Sequence, residues 1–381
     1  MQMKKNVFTL LAGTALLCAC QPAQKETTIS GTLTGIESDT LLVINAPMPT
    51  ASNENTQSKT DTVAMQDGKF TLTLACDSLP VQAVIFAKPS GNKALNMAQN
   101  IRIVAFPGDA LTVNGSVDDY VVEGSDFYAT LNEAQKTWQP AQDSLMAIFE
   151  KYKGIDPEDL PEGTNPTEEI QEAGKRLTAL YVDYIRQHPD EDVSVYLAAQ
   201  TGTYMEEALG LLSDKAKNGI LGRFYQYMDA MMQKEKALEE AEAKIKEGAE
   251  APDFTLNDLQ GKPLALSSLR GKYVVLDFWG SWCGWCIKGI PDMKKYYEKY
   301  KGKMEILGID CRDTEEKWKA AVEKHELPWL HVRNEGNPDV SILYAIQGYP
   351  TKIVVDPEGK IAKIVVGEDP AFYEYLDELF K

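Results

Sequence analysis

Phe70, Leu72 and Leu74 alternate with Thr71 and Thr73, the two-residue period of a strand with one face buried. Asp67-Gly68 stands just before that run, and Pro107-Gly108-Asp109 stands before Leu111 and Val113; both are turn signals. Strand-like text runs from Ile29 to about Gly124, broken over 50–61 by a polar stretch that reads as a long loop. From Asp126 to about Glu247 the period becomes helical. Ile170, Ala173, Leu177, Leu180, Tyr184 and His188 recur at three- and four-residue steps along one face. Pro157, Pro161 and Pro166 interrupt this region, and His188-Pro189-Asp190 ends one helix and starts another. Gln233 to Glu247 is dense in charge, which predicts a solvated connecting helix, a partner-binding helix being the sharper alternative.

After the boundary text Gly248-Ala249-Glu250-Ala251-Pro252, strands and helices alternate. Tyr273 to Trp279 is a continuous apolar run, as in a strand buried on both faces. Cys286 to Lys301 reads as a helix containing Pro291, Met304 to Asp310 as a strand, and Thr314 to His325 as a helix. Lys352 to Asp356 and Ile361 to Val366 are strands around the turn Pro357-Glu358-Gly359, and Ala371 to Phe380 is a last helix. Such alternation predicts an α/β sheet with helices on its faces. The expected domains are therefore a β-rich one over 28–124, sandwich or barrel-like, a helical domain with linker helix over 125–249, and an α/β domain over 250–381.

The N-terminus stands outside that scheme. Lys4 and Lys5 precede an apolar run from Val7 to Leu17, too short to span a bilayer. Leu17-Cys18-Ala19-Cys20 follows and resembles a bacterial lipobox with Cys20 as the acceptor; Cys18 fits less well, because Leu17 would then precede the cleavage point. A plain secretory signal with incidental cysteines is the blander alternative. The expectation is a lipoprotein signal peptide over 1–19, a tether over 20–27, and a lipid anchor facing the periplasm, held by more than one acyl chain. The net charge of −18 repels phosphate backbones and argues against nucleic acid as a partner.

Six cysteines reduce to four beyond Cys20: Cys76, Cys283, Cys286 and Cys311. That is too few for a disulfide scaffold in a chain of this length. Trp282-Cys283-Gly284-Trp285-Cys286 places two thiols at the start of a helix that follows a buried strand. Unpaired N–H groups and the helix dipole favour a thiolate at the first cysteine. At an unperturbed pKa of ~8.5 about 3% is thiolate at pH 7, and at ~7 about half is. The second cysteine, one turn on, can close a disulfide with the first. A half zinc site needs more ligands than Cys311, His325 and His331 offer, so neither metal nor cofactor is expected. A purely structural disulfide remains the other plain alternative.

DFWGSWCGWC resembles the thioredoxin active-site run, and APDFTLNDLQGKPLALSSLRGKYVVLDFW resembles the TlpA/ResA branch of exported thiol-disulfide oxidoreductases, in the AhpC/TSA–thioredoxin superfamily. GTLTG, the DG-KFTL run and FPGD resemble a β-rich domain of unknown function that precedes such modules. The resemblance implies a thioredoxin-like fold with Cys283 as nucleophile and Cys286 as resolving thiol. It puts Asp277 at the buried acid beneath the second cysteine, Pro291 at a helix kink, and Tyr349-Pro350-Thr351 in a cis-proline loop that meets substrate. Trp282 and Trp285 are expected to form an apolar rim for docking, or to pack locally. Relatives often carry a Glu just before the kink proline; Gly289 and Ile290 stand here instead, so that residue's role is absent. The implied partners are protein disulfides and a membrane thiol reductant. Trp285, where proline is common, leaves the redox poise open, with reductase preferred.

Cys311 reads as a buried inert thiol or, with Arg312 beside it, as a third redox thiol. Two rival functions stay open. A peroxidase would place P-x-x-x-[ST]-x-x-C before its cysteine, and FWGSWC has no proline there. A binding or scaffold lipoprotein would use the residues ahead of the C-x-x-C.

Overall fold

The computed structural model describes residues 25–381 apart from 37, 52–56, 77, 90–93, 98 and 162. The expected signal peptide and Cys20 lie outside the described residues. The chain divides into two compact units between Asp229 and Ala230.

The first unit opens with strands β1 (Lys25–Thr34), β2 (Thr40–Pro47), β3 (Lys59–Ala64), β4 (Lys69–Cys76), β5 (Val81–Ala87), β6 (Ile101–Ala105), β7 (Ala110–Ser116) and β8 (Tyr120–Glu123). They form two separate four-stranded sheets, β4-β1-β7-β8 and β3-β2-β5-β6, rather than one closed barrel. In β4 every second residue is buried, from Phe70 to Cys76, the pattern its alternation predicts. Two features depart from expectation. Strand β1 begins at Lys25, inside the segment expected to be tether, and pairs with β4 from Lys25↔Cys76 to Thr32↔Lys69. Its polar text hides the strand because Thr27, fully buried, satisfies its hydroxyl by donating to the Phe106 carbonyl. Strand β3 occupies the end of the stretch expected to be loop; it pairs only with β2 and is almost wholly exposed, so it has no apolar alternation to read.

Helices α1 (Asp126–Gln135), α2 (Gln139–Tyr152), α3 (Pro166–Gln187), α4 (Asp192–Ala198), α5 (Met205–Leu211), α6 (Asp214–Lys217) and α7 (Gly222–Lys244) follow. Ser125 caps α1 by accepting from the Tyr128 amide, and Asn165 with Pro166 starts α3. The α3 stripe buries Ala173, Leu177 and Tyr184, together with Tyr181 and Ile185. His188 is not part of that buried face: it is the C-cap, and its ring stacks on Tyr184.

The second unit takes in the end of α7. It continues with β9 (Thr255–Asn257), β10 (Pro263–Ala265), β11 (Tyr273–Trp279), α8 (Gly284–Lys299), β12 (Met304–Cys311), α9 (Glu315–Lys324), β13 (Leu330–Asn334), α10 (Val340–Leu343), β14 (Thr351–Val355), β15 (Ile361–Val366) and α11 (Pro370–Leu379). The text expected to mark the boundary belongs to this unit, because Gly248 and Ala251 donate to the Ile361 and Gly359 carbonyls. Five strands form one sheet in the order β13-β12-β11-β14-β15. The first three are mutually parallel, β14 is antiparallel to β11, and β15 is antiparallel to β14. This is a thioredoxin-like arrangement. Strand β11 lies at its centre and feeds both cores. Val275 and Trp279 enter the one beneath α8, and Val274, Leu276 and Phe278 the one on the opposite face. Burial on both sides is why its text is apolar apart from Asp277.

Candidate redox site

The buried strand β11 ends at Trp279, and after three intervening residues Cys283 caps the N-terminus of α8. Its Sγ accepts a hydrogen bond from the Cys286 amide at 3.1 Å. This is one of the donors a helix start leaves unpaired, and with the dipole it favours negative charge on that sulfur. Cys283 and Cys286 are joined in a disulfide, with Cα atoms 5.3 Å apart. Their exposures, 5% and 8%, do not tell them apart. Only their places on the helix do.

The turn between β11 and α8 is held from the far side. The Asp313 carboxylate accepts from the Ser281 amide at 2.6 Å and from its hydroxyl at 2.8 Å. Trp282 Nε1 donates to the Cys311 carbonyl at 2.9 Å. A Cβ at Gly280 would stand 2.4 Å from that indole nitrogen and 2.9 Å from the same carbonyl oxygen, so only glycine lets the indole close over the turn. Trp282 and Trp285 remain 47% and 61% exposed on either side of Cys283. The Tyr349–Pro350 bond is cis. The Tyr349 ring meets Trp282 edge-on at 5.2 Å, and the Arg312 guanidinium lies 5.3 Å and 5.6 Å from the two ring centres, within cation–π range. Arg312 is thus occupied by aromatic faces, and burial pushes the Cys311 thiol up to about 12. Thr351, buried, donates its hydroxyl to the Gly348 carbonyl at 2.8 Å and so braces the proline loop.

Beneath Cys286 lies a cavity of about 10 Å³, lined among others by Asp277, Pro350, Lys352 and Glu368; that is room for about one water molecule. Asp277 is 8% exposed and its Oδ1 has no hydrogen-bond partner. Burial raises its pKa from 3.8 to about 6; Lys352 pulls it down and Glu368 pushes it up. Lys352 stands directly opposite Asp277 across the β11–β14 ladder. Its ammonium, with the side chain 2% exposed, pairs with Glu368 Oε2 at 2.6 Å. The other Glu368 oxygen accepts from the Tyr373 hydroxyl at 2.7 Å. A Cβ on Gly289 would lie 2.3 Å from Glu368 Oε2. The missing side chain in α8 therefore makes the space that this carboxylate fills.

Two further buried groups belong to the same half of the unit. Asp310, fully buried, is pushed up to about 8 by burial and by Asp313 beside it. His331, 3% exposed, is held neutral by burial, its pKa down at about 4. Among the described residues no three His, Cys, Asp or Glu side chains cluster as a metal site would require.

A family model described as AhpC/TSA family matches residues 248–364, and one described as a domain of unknown function (DUF4369) matches residues 27–128. The thiol-disulfide oxidoreductase ResA of Bacillus cereus is 37% identical over 126 residues, 33% of this chain and 72% of that protein. The chain belongs to the ResA family of thiol-disulfide oxidoreductases. ResA of Bacillus subtilis is 33% identical over 35% of this chain and 75% of its own length. Among solved structures, the thioredoxin domain of a thiol-disulfide oxidoreductase from Bacteroides vulgatus is 34% identical, covering 36% of this chain and 99% of that one with a TM-score of 0.34. A thiol:disulfide interchange protein DsbE from Chlorobium tepidum is 29% identical, covering 35% and 94% with a TM-score of 0.33.

Within this ResA-family unit the structure brings Cys283, Cys286, Trp282, Tyr349 and Pro350 to one end of the sheet, with Asp277 and Lys352 behind Cys286. Reading the sequence alone misses Lys352, Glu368, Tyr373 and Asp313. Lys352 left one signal, a lysine opening the otherwise apolar strand text KIVV. The other three carry none, since nothing local marks a carboxylate that folds back onto a glycine.

Proposed function

We propose that this chain is an envelope protein-disulfide reductase in which Cys283 attacks and Cys286 resolves. The observation that carries the reading is the Cys283–Cys286 disulfide at the start of α8, with Cys283 as the cap. The Cys283 thiolate attacks a substrate disulfide, one substrate sulfur leaves as thiolate, and a mixed disulfide remains. Cys286 then displaces the second substrate sulfur, so the enzyme pair is oxidised by two electrons and the substrate reduced by two. Asp277, with its raised pKa and the water-sized cavity between it and Cys286, is suited to take the Cys286 proton. The exposed faces of Trp282 and Trp285 offer an apolar rim, and Tyr349, Pro350 and Thr351 a backbone edge for a substrate strand. A membrane thiol reductant re-reduces the pair, and acyl chains on Cys20 hold the protein on the periplasmic side of a membrane.

The test is trapping in living cells. Cys286→Ser is expected to accumulate proteins disulfide-linked to Cys283, and Cys283→Ser to abolish insulin reduction by the purified protein. Unchanged insulin turnover by Cys283→Ser would overturn the assignment. Peroxide consumption without insulin reduction would point to a peroxidase, and turnover of neither to a binding protein.

A further inference from the structure

The strongest polar construction in the second unit outside the cysteines is the cluster of Lys352, Glu368 and Tyr373 behind Cys286. Burying an ion pair carries a desolvation cost that an apolar pair of similar volume avoids. Here the pair is 2% and 14% exposed and lines the cavity that also exposes Asp277 and Cys286. The backbone geometry is arranged around it. Lys352 sits across the ladder from Asp277, at a separation where charged side chains interact directly. Gly289 leaves the space the Glu368 carboxylate occupies. Tyr373 fixes the second carboxylate oxygen. Asp277, by contrast, keeps one oxygen without a partner.

We propose that Glu368 is a positioning residue for proton transfer at Cys286: by engaging the Lys352 ammonium it stops Lys352 from locking Asp277 as a carboxylate too weakly basic to take a proton. The inference rests on the reading of Asp277 as the proton acceptor. In the step concerned, the Cys286 S–H bond breaks and its proton passes to the Asp277 carboxylate. The sulfur electron pair forms the bond to Cys283, the bond from Cys283 to substrate breaks, and its pair leaves on the substrate thiolate. Asp277 returns its proton to solvent. The groups facing Asp277 are Cys286 on α8, Lys352 on β14, Glu368 after β15 and Tyr373 on α11. Tyr373 in turn faces Asp292 on α8.

Lys352 lowers the proton affinity of Asp277 and Glu368 raises it, with Lys352 the stronger of the two. The inference therefore predicts an order of titration. It is read by ¹³C-carboxyl NMR of Asp277 in the full reduced chain, with the signal assigned by its loss in Asp277→Asn, and by the pH dependence of mixed-disulfide resolution in stopped-flow fluorescence. Glu368→Gln is expected to move both midpoints at least half a pH unit to acid of wild type, and Lys352→Met to move them to alkali. The Lys352→Met/Glu368→Gln double variant is expected between wild type and Lys352→Met. It leaves no unpaired buried charge, so its comparison with Lys352→Met isolates Glu368 even if Glu368→Gln does not fold. A merely structural role would lower stability and leave the midpoints in place. Coincident midpoints in Glu368→Gln and wild type, or in the double variant and Lys352→Met, would overturn the inference. An unaltered resolution profile in Asp277→Asn would instead sink the reading of Asp277 on which it rests.

Discussion

Asp277 is a residue whose burial costs stability at the place where the proposed reaction needs a proton acceptor. Its carboxyl is raised from 3.8 to about 6 by burial, so the fold holds the proton more tightly than the unfolded chain does. The penalty for ionising it is absent below about pH 4, grows between about 4 and 6, and is complete above 6, so this group makes the protein less stable as pH rises. Two pKa units correspond to about 3 kcal/mol. Asp277→Asn is therefore expected to stabilise the oxidised protein by up to about that amount at pH 7.5, with little gain at pH 3.5, while slowing resolution by Cys286. Urea unfolding at the two pH values checks the first part, and an equal gain at both would contradict it. The two cysteines were legible in the sequence because their chemistry is local: a C-x-x-C after a buried strand. Asp277 was legible only through resemblance. Lys352 and Glu368 were not, because their meeting depends on the β11–β14 register and on a glycine in α8.

At the scale of elements, the site depends on how tightly the turn from β11 into α8 is closed. Gly280 and Gly284 flank it and carry opposite expectations. A Cβ at Gly280 meets the Trp282 indole nitrogen and the Cys311 carbonyl oxygen, whereas one at Gly284 meets nothing within 4 Å. Gly280→Ala is expected to cost about 1–3 kcal/mol through overpacking and to release the Trp282–Cys311 hydrogen bond. Gly284→Ala, in the first turn of α8, is expected to cost nothing or to gain a few tenths of a kcal/mol. Equal urea midpoints for the two variants would show that the turn is not held as described. Periodicity located α8, β12, α9, β14, β15 and α11 to within about two residues, because each has one or two buried faces. It missed β3 and the start of β1. An exposed edge strand and a threonine-rich strand whose hydroxyls are satisfied internally leave no apolar alternation to detect.

At the scale of the whole molecule, the redox pair lies in the second of two units, and that unit owns both of its cores, which run from Ala251 to Leu376. The ResA relatives match within that unit, while residues 27–128 of the first unit match a domain of unknown function. The division into a β-rich, a helical and an α/β stretch was legible from the change of hydrophobic period. That the end of α7 and residues 248–251 belong with the α/β unit was not, because backbone pairing with the turn at 359–361 has no local signature. The lipobox resemblance makes its own prediction: Cys20→Ala moves the protein from the membrane to the soluble fraction after cell fractionation, and continued membrane retention would refute lipid anchoring. The proposed chemistry depends on which sulfur ionises first. Pulsed alkylation of the reduced full-length protein across pH 5–9, read by mass spectrometry of the two cysteines, tests it most directly. Cys283 is expected to be modified first, with an apparent pKa well below the ordinary ~8.5, and Cys286 to lag. Faster modification of Cys286, or two thiols that titrate together near the ordinary value, would contradict it.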